Sequence, residues 1–397
     1  MNALPDGWSR RRVEDLVRVT RGASPRPIND WIAPEGTPWV KISDATASSA
    51  RVITSTREFI RNEGRTRSVV VYPGDLIVSN SATPGIPRFM GIEACIHDGW
   101  LLLRDLRGID PLYMYYTVEN DRPLLLEQGN GSIFTNLKTE ILKRHLIAVP
   151  PLAEQQAIAE VLGALDDKIA ANTALAATAE RVLRAEIDAA WLRGDDRSSV
   201  FSDWVDLNPK VSVPRSDSAI YIDMKRLPET GWSIDGFDLR EPKGGARFQN
   251  GDTLLARITP CLENRKAGFV DHLGEGDVGI GSTEFIVLRA RGEVAAPIPF
   301  LLATAPRFRD HAIQHMVGTS GRQRVAASDL ATFELPTPDR TWLADFGARA
   351  SALFCAVAAQ SVENRTLAAT RDALLPQLMS GQLRVRDAED AASALGV

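Results

Sequence analysis

Side chains capable of covalent or metal chemistry do not stand at the spacings that such chemistry requires. No Gly-Lys pair occurs in the 397 residues, so a glycine-rich loop with a phosphate-holding lysine cannot be written. Gly129-Asn130-Gly131 and Gly279-Ile280-Gly281 lack a third glycine and read as turns. His311 and His315 are one helical turn apart but enclose no glutamate, so they read as solvated helix histidines and not as a zinc-protease pair. Asp252, Glu263 and Lys266 loosely match a nuclease's acid-acid-lysine spacing, with no counterpart in the first half of the chain. Val149-Pro150-Pro151-Leu152 lacks the acid or amide before, and the aromatic after, that amino-methyltransferases place around two prolines. It marks the start of a helix instead. Cys95, Cys261 and Cys355 are too scattered for a disulfide framework or a C-x-x-C zinc site. The expectation is a chain that holds no metal or cofactor and catalyses nothing alone.

What remains is hydrogen-bond donors, and their natural chemistry is recognition. Arginines gather at Arg10, Arg11 and Arg12, and again at Arg51, Arg57, Arg61, Arg65 and Arg67. Acidic residues thicken at Asp195-Asp196 and between Asp387 and Asp390. A net charge of -5 argues against a protein that coats DNA unaided, yet it permits a basic face on an acidic body. With 44% hydrophobic and 24% charged residues the composition is that of a soluble globular protein. No apolar run approaches the roughly 18 residues of a membrane span. Met1-Asn2-Ala3-Leu4-Pro5-Asp6 lacks the basic start and apolar stretch of a signal peptide. A cytoplasmic setting is expected.

The elements that must position these donors repeat. Asn172 to Leu183 aligns with Asn364 to Leu375, sharing Asn, Leu, Ala-Ala-Thr and the final Leu. Gly74-Asp75-Leu76-Ile77-Val78 with Thr83-Pro84 matches Gly251-Asp252-Thr253-Leu254-Leu255 with Thr259-Pro260. Trp100-Leu101-Leu102-Leu103-Arg104 echoes Phe285-Ile286-Val287-Leu288-Arg289, and Ser132 and Leu142 before Pro150 correspond to Ser320 and Leu330 before Pro338. The matches keep their order, so the chain is a duplicated two-part unit.

Each copy begins with short β-branched and apolar runs punctuated by Gly, Pro, Asn and Asp, such as Trp39 to Ile42 and Ser68 to Tyr72, which predicts an α+β globule. Residues 111–128 read as a helix within the first. From Leu152 to Leu192 there is no proline and one glycine, predicting a helix of about 40 residues, or roughly 60 Å. Its apolar seam is Ile158, Val161, Leu165, Ile169, Asn172, Leu175, Ala179 and Val182. The second copy's seam is Phe346, Ala350, Leu353, Val357, Ser361, Asn364, Leu367, Arg371 and Leu374, with Pro376 and Gly381 expected to end the helix. Two matching stripes predict an antiparallel pair, in which Asn172 and Asn364 would fix register if buried. The alternative is that each helix packs only on its own globule. The predicted boundaries are 1–150, 151–193, 194–338 and 339–386, with a flexible tail at 387–397.

Nearly the whole chain resembles the specificity subunits of type I restriction-modification systems. Pro150-Pro151-Leu152-Ala153-Glu154-Gln155-Gln156, continuing to Leu165-Asp166-Asp167-Lys168-Ile169, is similar to that family's central helix signature. Trp8, Leu16, Gly22 and Thr37 to Asp44 look like the opening of its target recognition domain, and Gly74 to Ser79 resembles a strand within it. Leu374 to Leu383 is similar to the family's C-terminal helix ending. Leu335-Pro336-Thr337-Pro338-Asp339 departs by lacking the Glu-Gln-Gln of the first copy. The resemblance implies two similar α/β target recognition domains separated by two long antiparallel coiled-coil helices, in an internal pseudo-two-fold repeat. Each domain would read half of a bipartite site on double-stranded DNA, and the helices would act as a ruler. The implied partners are two methyltransferase subunits, bringing S-adenosylmethionine, and nuclease/translocase subunits using ATP.

Arg, Lys, Asn, Gln, Ser and Thr read base edges, and Arg and Lys hold phosphates. Such residues on turns at corresponding places in both copies are the candidate DNA contacts. In the first domain these are Lys41, Ser43, Ser79, Asn80, Ser81, Thr83, Arg88, Ser132, Thr135, Asn136 and Lys138. In the second they are Arg257, Thr259, Asn264, Arg265, Lys266, Ser320, Arg322, Gln323 and Arg324. The Arg322-Gln323-Arg324 loop groups three long donors after Gly318-Thr319-Ser320-Gly321. The competing expectations are a pure protein scaffold, and a nuclease or methyltransferase with diverged motifs.

Overall fold

The computed structural model describes residues 4–47, 50–128, 136–193, 198–212, 218–319 and 321–385. The chain divides into two compact units, Met1–Ala171 with Asn364–Val397, and Asn172–Glu363.

In the first unit, Ser9–Arg12 pairs antiparallel with Leu146–Val149, stapling the start of the globule to the strand before the first long helix. One five-stranded sheet runs Ile32–Ala33, Glu58–Ile60, Thr37–Val40, Ala94–Ile96, Val69–Val71. The other runs Arg18–Arg21, Trp100–Arg104, Leu76–Ser79, Pro87–Met90, Val52–Ile53. The second unit repeats this almost strand for strand. Ser198–Val200 pairs with Glu334–Pro336. One sheet runs Asp238–Arg240, Ala219–Ile222, Gly279–Gly281, Ala246–Phe248, and the other Val205–Leu207, Phe285–Ala290, Thr253–Ala256, Ala267–Phe269. Even the parallel contact recurs, Ala94–Ile96 on Thr37–Val40 and Gly279–Gly281 on Ala219–Ile222, among antiparallel neighbours. Among the described residues the edge strands Ile32–Ala33 and Val52–Ile53 have no strand counterpart in the second unit, where a single parallel bridge from Ser233 to Phe269 takes the place of the latter.

The repeated sequence motifs lie on the central strands. All four residues of Leu76–Ser79 and of Thr253–Ala256 are buried, because each sheet is covered on both faces and so shows a continuous apolar run. Alternate residues enter different cores. Leu76, Val78, Leu101 and Leu103 join the helix-side core, while Ile77, Trp100 and Leu102 fill the core between the sheets. The second unit divides Leu255, Ile286 and Leu288 from Leu254, Phe285 and Val287 in the same way.

The Gly-Asp turn and the Arg closing the neighbouring strand, matched by sequence, meet in space. Asp252 is wholly buried and accepts from Arg289 Nε and Nη2, both at 2.7 Å, and from the Gln249 amide at 2.8 Å. Asp75 accepts from Arg104 Nε at 2.9 Å, from its Nη2, and from the Tyr72 amide at 2.7 Å. These bonds hold both guanidinium groups above the ordinary arginine value.

The long helices span Leu152–Arg193 and Arg340–Ser380. In the second unit Asn172 Nδ2 donates to Glu363 Oε2, and Arg349 Nη2 to Glu186 Oε2, both at 2.6 Å. Residue numbers rise on one helix as they fall on the other, so the pair is antiparallel. Phe346, Ala350, Phe354 and Val357 pack with Ala179, Leu183 and Ile187, and Trp232 of the globule stacks on Phe354 at 4.1 Å. In the first unit Ile158, Val161 and Leu165 share a core with Leu367, Leu374 and Leu378 and with Tyr113 and Tyr116. Ile169 and Leu353 pack at the margins of their cores. Each helix therefore packs on its partner and on a globule together. By length and hydropathy alone Arg340–Ser380 would pass for a membrane span; within it Phe346, Ala350, Phe354, Val357, Leu367, Leu374 and Leu378 are buried in protein cores.

Two helix expectations need correction. Leu175 and Val182 are exposed, at 53% and 46%, whereas Ala176 and Leu183 face the core. Residues 169, 172 and 175 make two successive steps of three, which rotate off the stripe by about 60° each, and the real seam restores a step of four. Of the two seam asparagines, Asn172 is buried, its Nδ2 donating to Glu363 Oε2, and Asn364 is half-buried. Pro376 lies inside the second helix, flanked by core residues Leu374 and Leu378. Gly381, at φ +72°, ends it, with the Gln382 amide donating to the Gln377 carbonyl.

Leu183→Ala is expected to cost about 3 kcal/mol of unfolding free energy, and Leu175→Ala under ~0.5 kcal/mol, in urea denaturation. Equal losses would restore the earlier seam. Asp252→Ala strands Arg289 against the sheet and should cost about 3 kcal/mol in the same assay.

Candidate nucleic-acid interface

In the second unit three loops converge beyond the central strands. The Arg257 amide donates to the Glu284 carbonyl, the Val325 amide to the Arg257 carbonyl, and the Thr259 amide to the Gln323 carbonyl. Gln323's amide returns a bond to Thr259 Oγ1 at 3.1 Å. Arg257, Thr259 and Gln323 are thereby half-buried, while Arg322 and Arg324 project into solvent. Glu284 holds Arg324 through both edges of the carboxylate, with contacts of 2.7 to 3.0 Å. That bond keeps the Glu284 carboxyl below its usual range. Among the described residues Arg322 has no side-chain partner. Asn264 is exposed beside this group.

The first unit uses the same backbone pattern with other side chains. The Asn80 amide donates to the Gly99 carbonyl and the Leu137 amide to the Asn80 carbonyl. Asn80 thus stands where Arg257 stands, Gly99 where Glu284 stands, and Asn136 where Arg324 stands. Asn136, Lys138, Thr83, Lys41 and Ser43 are exposed and Ser81 is half-buried, so these remain on the candidate surface. Lys41 pairs with Glu58 at 2.6 Å, an exposed contact that a phosphate can displace. Ser132, Thr135 and Ser320 lie outside the described residues.

Five candidates are fasteners of the fold. Ser79 is buried, donating to the Thr83 carbonyl at 2.7 Å and accepting from the Ile86 amide at 2.8 Å. Asn80's side chain donates to the Asp98 carbonyl at 3.1 Å. Arg88 is 8% exposed and donates to the Ala45 and Pro87 carbonyls. Lys266 donates to the Met224 carbonyl at 3.2 Å. Arg265, at φ +63°, binds Glu180 of the first long helix and the Glu229 carbonyl. Burial pushes its guanidinium down, against the pull of Glu180. Arg51, from the arginine-rich stretch, similarly binds Asp167 and the Gly163 carbonyl. A Cβ on Gly163 would sit 3.2 Å from Leu112. Of the Glu-Gln-Gln signature only the middle residue turns inward: Gln155 is 1% exposed, donating to the Pro150 and Gly108 carbonyls and accepting from the Asp110 amide, while Glu154 is half-buried and Gln156 exposed. In the second copy Asp339 caps the helix instead, accepting from the Thr341 and Trp342 amides.

Sequence reasoning missed a concavity at corresponding places in the two units. In the first, about 700 Å³ is lined by Ser24, Arg26, Pro27, Ile28, Trp39, Lys41, His97 and Asp98. In the second, about 600 Å³ is lined by Asn208 to Ser212, Gly245, Ala246, Arg247, Arg257, Thr283, Phe285 and Val287. Burial would raise the Asp98 carboxyl, but Ser24, Arg21 and Arg26 hold it below its ordinary value. Burial pushes the His97 imidazole below its ordinary value, against the pull of Asp98. The available signal was position, since His97 and Thr283 immediately precede the repeated Trp100 and Phe285 strands. No cluster able to hold a metal occurs among the described residues. The arrangement presents donors and a few acceptors on rigid turns, which suits base and phosphate contact.

Residues 5–181 match a family model described as the type I restriction modification DNA specificity domain. The type I restriction enzyme EcoAI specificity subunit of Escherichia coli is 32% identical over 141 residues, 34% of this chain and 23% of that protein. The EcoEI specificity subunit is 32% identical over 143 residues, so the chain spans about a quarter of these relatives' length. The MjaIX specificity subunit of Methanocaldococcus jannaschii is 21% identical and aligns over 97% of this chain and 95% of its own. The crystal structure of a type I restriction-modification system S subunit from M. genitalium has a TM-score of 0.59 at 14% identity, covering 96% of this chain and 97% of that one.

Arg265→Ala is expected to cost about 2 kcal/mol, because it removes a charged bond to a buried carboxylate. Arg322→Ala should leave the unfolding midpoint within error. Thermal melts of both variants check the division between fasteners and surface donors.

Proposed function

We propose that this chain is a specificity subunit of a type I restriction-modification system that reads a bipartite DNA site for partner subunits, a reading supported by the match of residues 5–181 to that family's DNA specificity domain. Each unit reads one half. The observation that carries this reading is a repeated frame with unrepeated tips. The backbone bonds that set Asn80, Gly99 and Asn136 are those that set Arg257, Glu284 and Arg324. Two frames of one design with different donors are what two different half-sites require. The exposed cations, including Arg322, Lys138 and the Arg10-Arg11 strand, supply phosphate contacts that fix register without reading sequence.

Both long helices contribute to both units, so they set the spacer as a ruler would. Their remaining faces are offered to two methyltransferase subunits, which bring S-adenosylmethionine and methylate adenine. ATP-using translocating nuclease subunits complete the assembly. This chain performs neither methylation nor cleavage. Gln155 and Asp339 both serve their own helix starts, so the differing signatures leave equivalent docking by both helices open.

Adenine methylation mapped across the host genome, with and without this protein, tests the reading. Loss of one split motif is expected on deletion, and its return on complementation. An unchanged methylation map would reject it.

A further inference from the structure

The hairpin carrying Arg324 is built to hold one guanidinium still. Val317 and Arg324 exchange backbone bonds of 2.9 and 3.0 Å, and such an antiparallel pair sends both side chains from one face. Ile258 bridges Arg324 from the other side. Glu284 takes the side edge of the guanidinium, with Nε donating at 2.8 Å to Oε2 and Nη2 at 2.7 Å to Oε1. That leaves the end edge, Nη1 with the second proton of Nη2, directed away from Glu284. Nη1 makes a contact of 3.4 Å to the Arg322 carbonyl, too long for a good hydrogen bond. The side chain stays 42% exposed.

A carboxylate against this arginine selects what else it binds. A phosphate arriving at the free edge would meet the charge of Glu284, whereas a guanine edge offers two neutral acceptors, O6 and N7, at guanidinium spacing. The buttress also removes rotamer freedom before DNA arrives, which lowers the ordering cost of binding. Beside Arg324, Val317 is 76% exposed, the most exposed large hydrophobic residue among those described. A branched methyl pair there suits the 5-methyl of thymine. Arg322, without a carboxylate, is left for the phosphate. The first unit has Gly99 and Asn136 at the equivalent positions, so the device is confined to the second.

Resting on the DNA-reading role above, we propose that Arg324, buttressed by Glu284, reads a guanine in the second half-site, with Val317 against the methyl of an adjacent thymine. Glu284 is a positioning residue. The test uses the full chain assembled with its methyltransferase subunits and selection from randomised duplexes. Wild type should select a second half-site containing guanine beside thymine. Arg324→Ala should lower discrimination at that guanine by about tenfold or more. Glu284→Gln should lower it by a few-fold, and Val317→Ala should relax the thymine alone. An unaltered first half-site in each variant shows an intact fold. A second half-site without guanine, or one untouched by Arg324→Ala, overturns the inference while DNA reading stands. Selection of no motif by wild type overturns both.

Discussion

Register on the central strand pair is the constraint from which the rest follows. Trp100–Arg104 lies antiparallel to Leu76–Ser79, and successive residues on each serve two different cores. A slip of one residue would exchange the contents of those cores. The aspartate of the preceding turn grips the arginine that closes the neighbouring strand, Asp75 with Arg104 and Asp252 with Arg289, so only one register satisfies the buried charge. The loops that leave these strands inherit their positions from that lock. Asn80 follows one strand directly and Arg257 the other, each bonded to the turn before the next strand.

Much of this was legible in the sequence because its causes are local or repeated. The Gly-Asp and closing-Arg motifs recur because each pair solves the same problem twice. The long helices announced themselves through alanine and the absence of proline. The seam failed after Asn172, since Leu175 and Ala176 differ by about 100° around a helix and only the partner decides between them. Pro376 misled for a similar reason: packing at Leu374 and Leu378 holds a helix that local preference would end.

The candidate surface was legible in outline and blurred in detail. A long donor looks the same in sequence whether it reaches a base or a carbonyl. Arg88, Arg265 and Lys266 are spent on the Ala45 carbonyl, on Glu180 and on the Met224 carbonyl, all partners distant in the chain. Arginine clusters therefore overstate the charge offered to solvent. Arg51 and Arg371 both neutralise Asp166, and Arg65 is engaged by Glu93. An acidic chain can still present local positive charge, because its internal ion pairs consume cations and carboxylates together.

The two units differ in how their cores are drawn from the chain. The second takes its share from one uninterrupted stretch, Asn172–Glu363, whereas the first is completed only by residues after Asn364. Leu367, Leu374 and Leu378 are core members of a globule whose opening strands were made some 350 residues before. During synthesis from the N-terminus, the domain begun second is therefore the one finished first. Until the returning helix arrives, Ile158, Val161 and Leu165 remain without their far wall, a nascent apolar stripe that ribosome-associated chaperones are suited to cover.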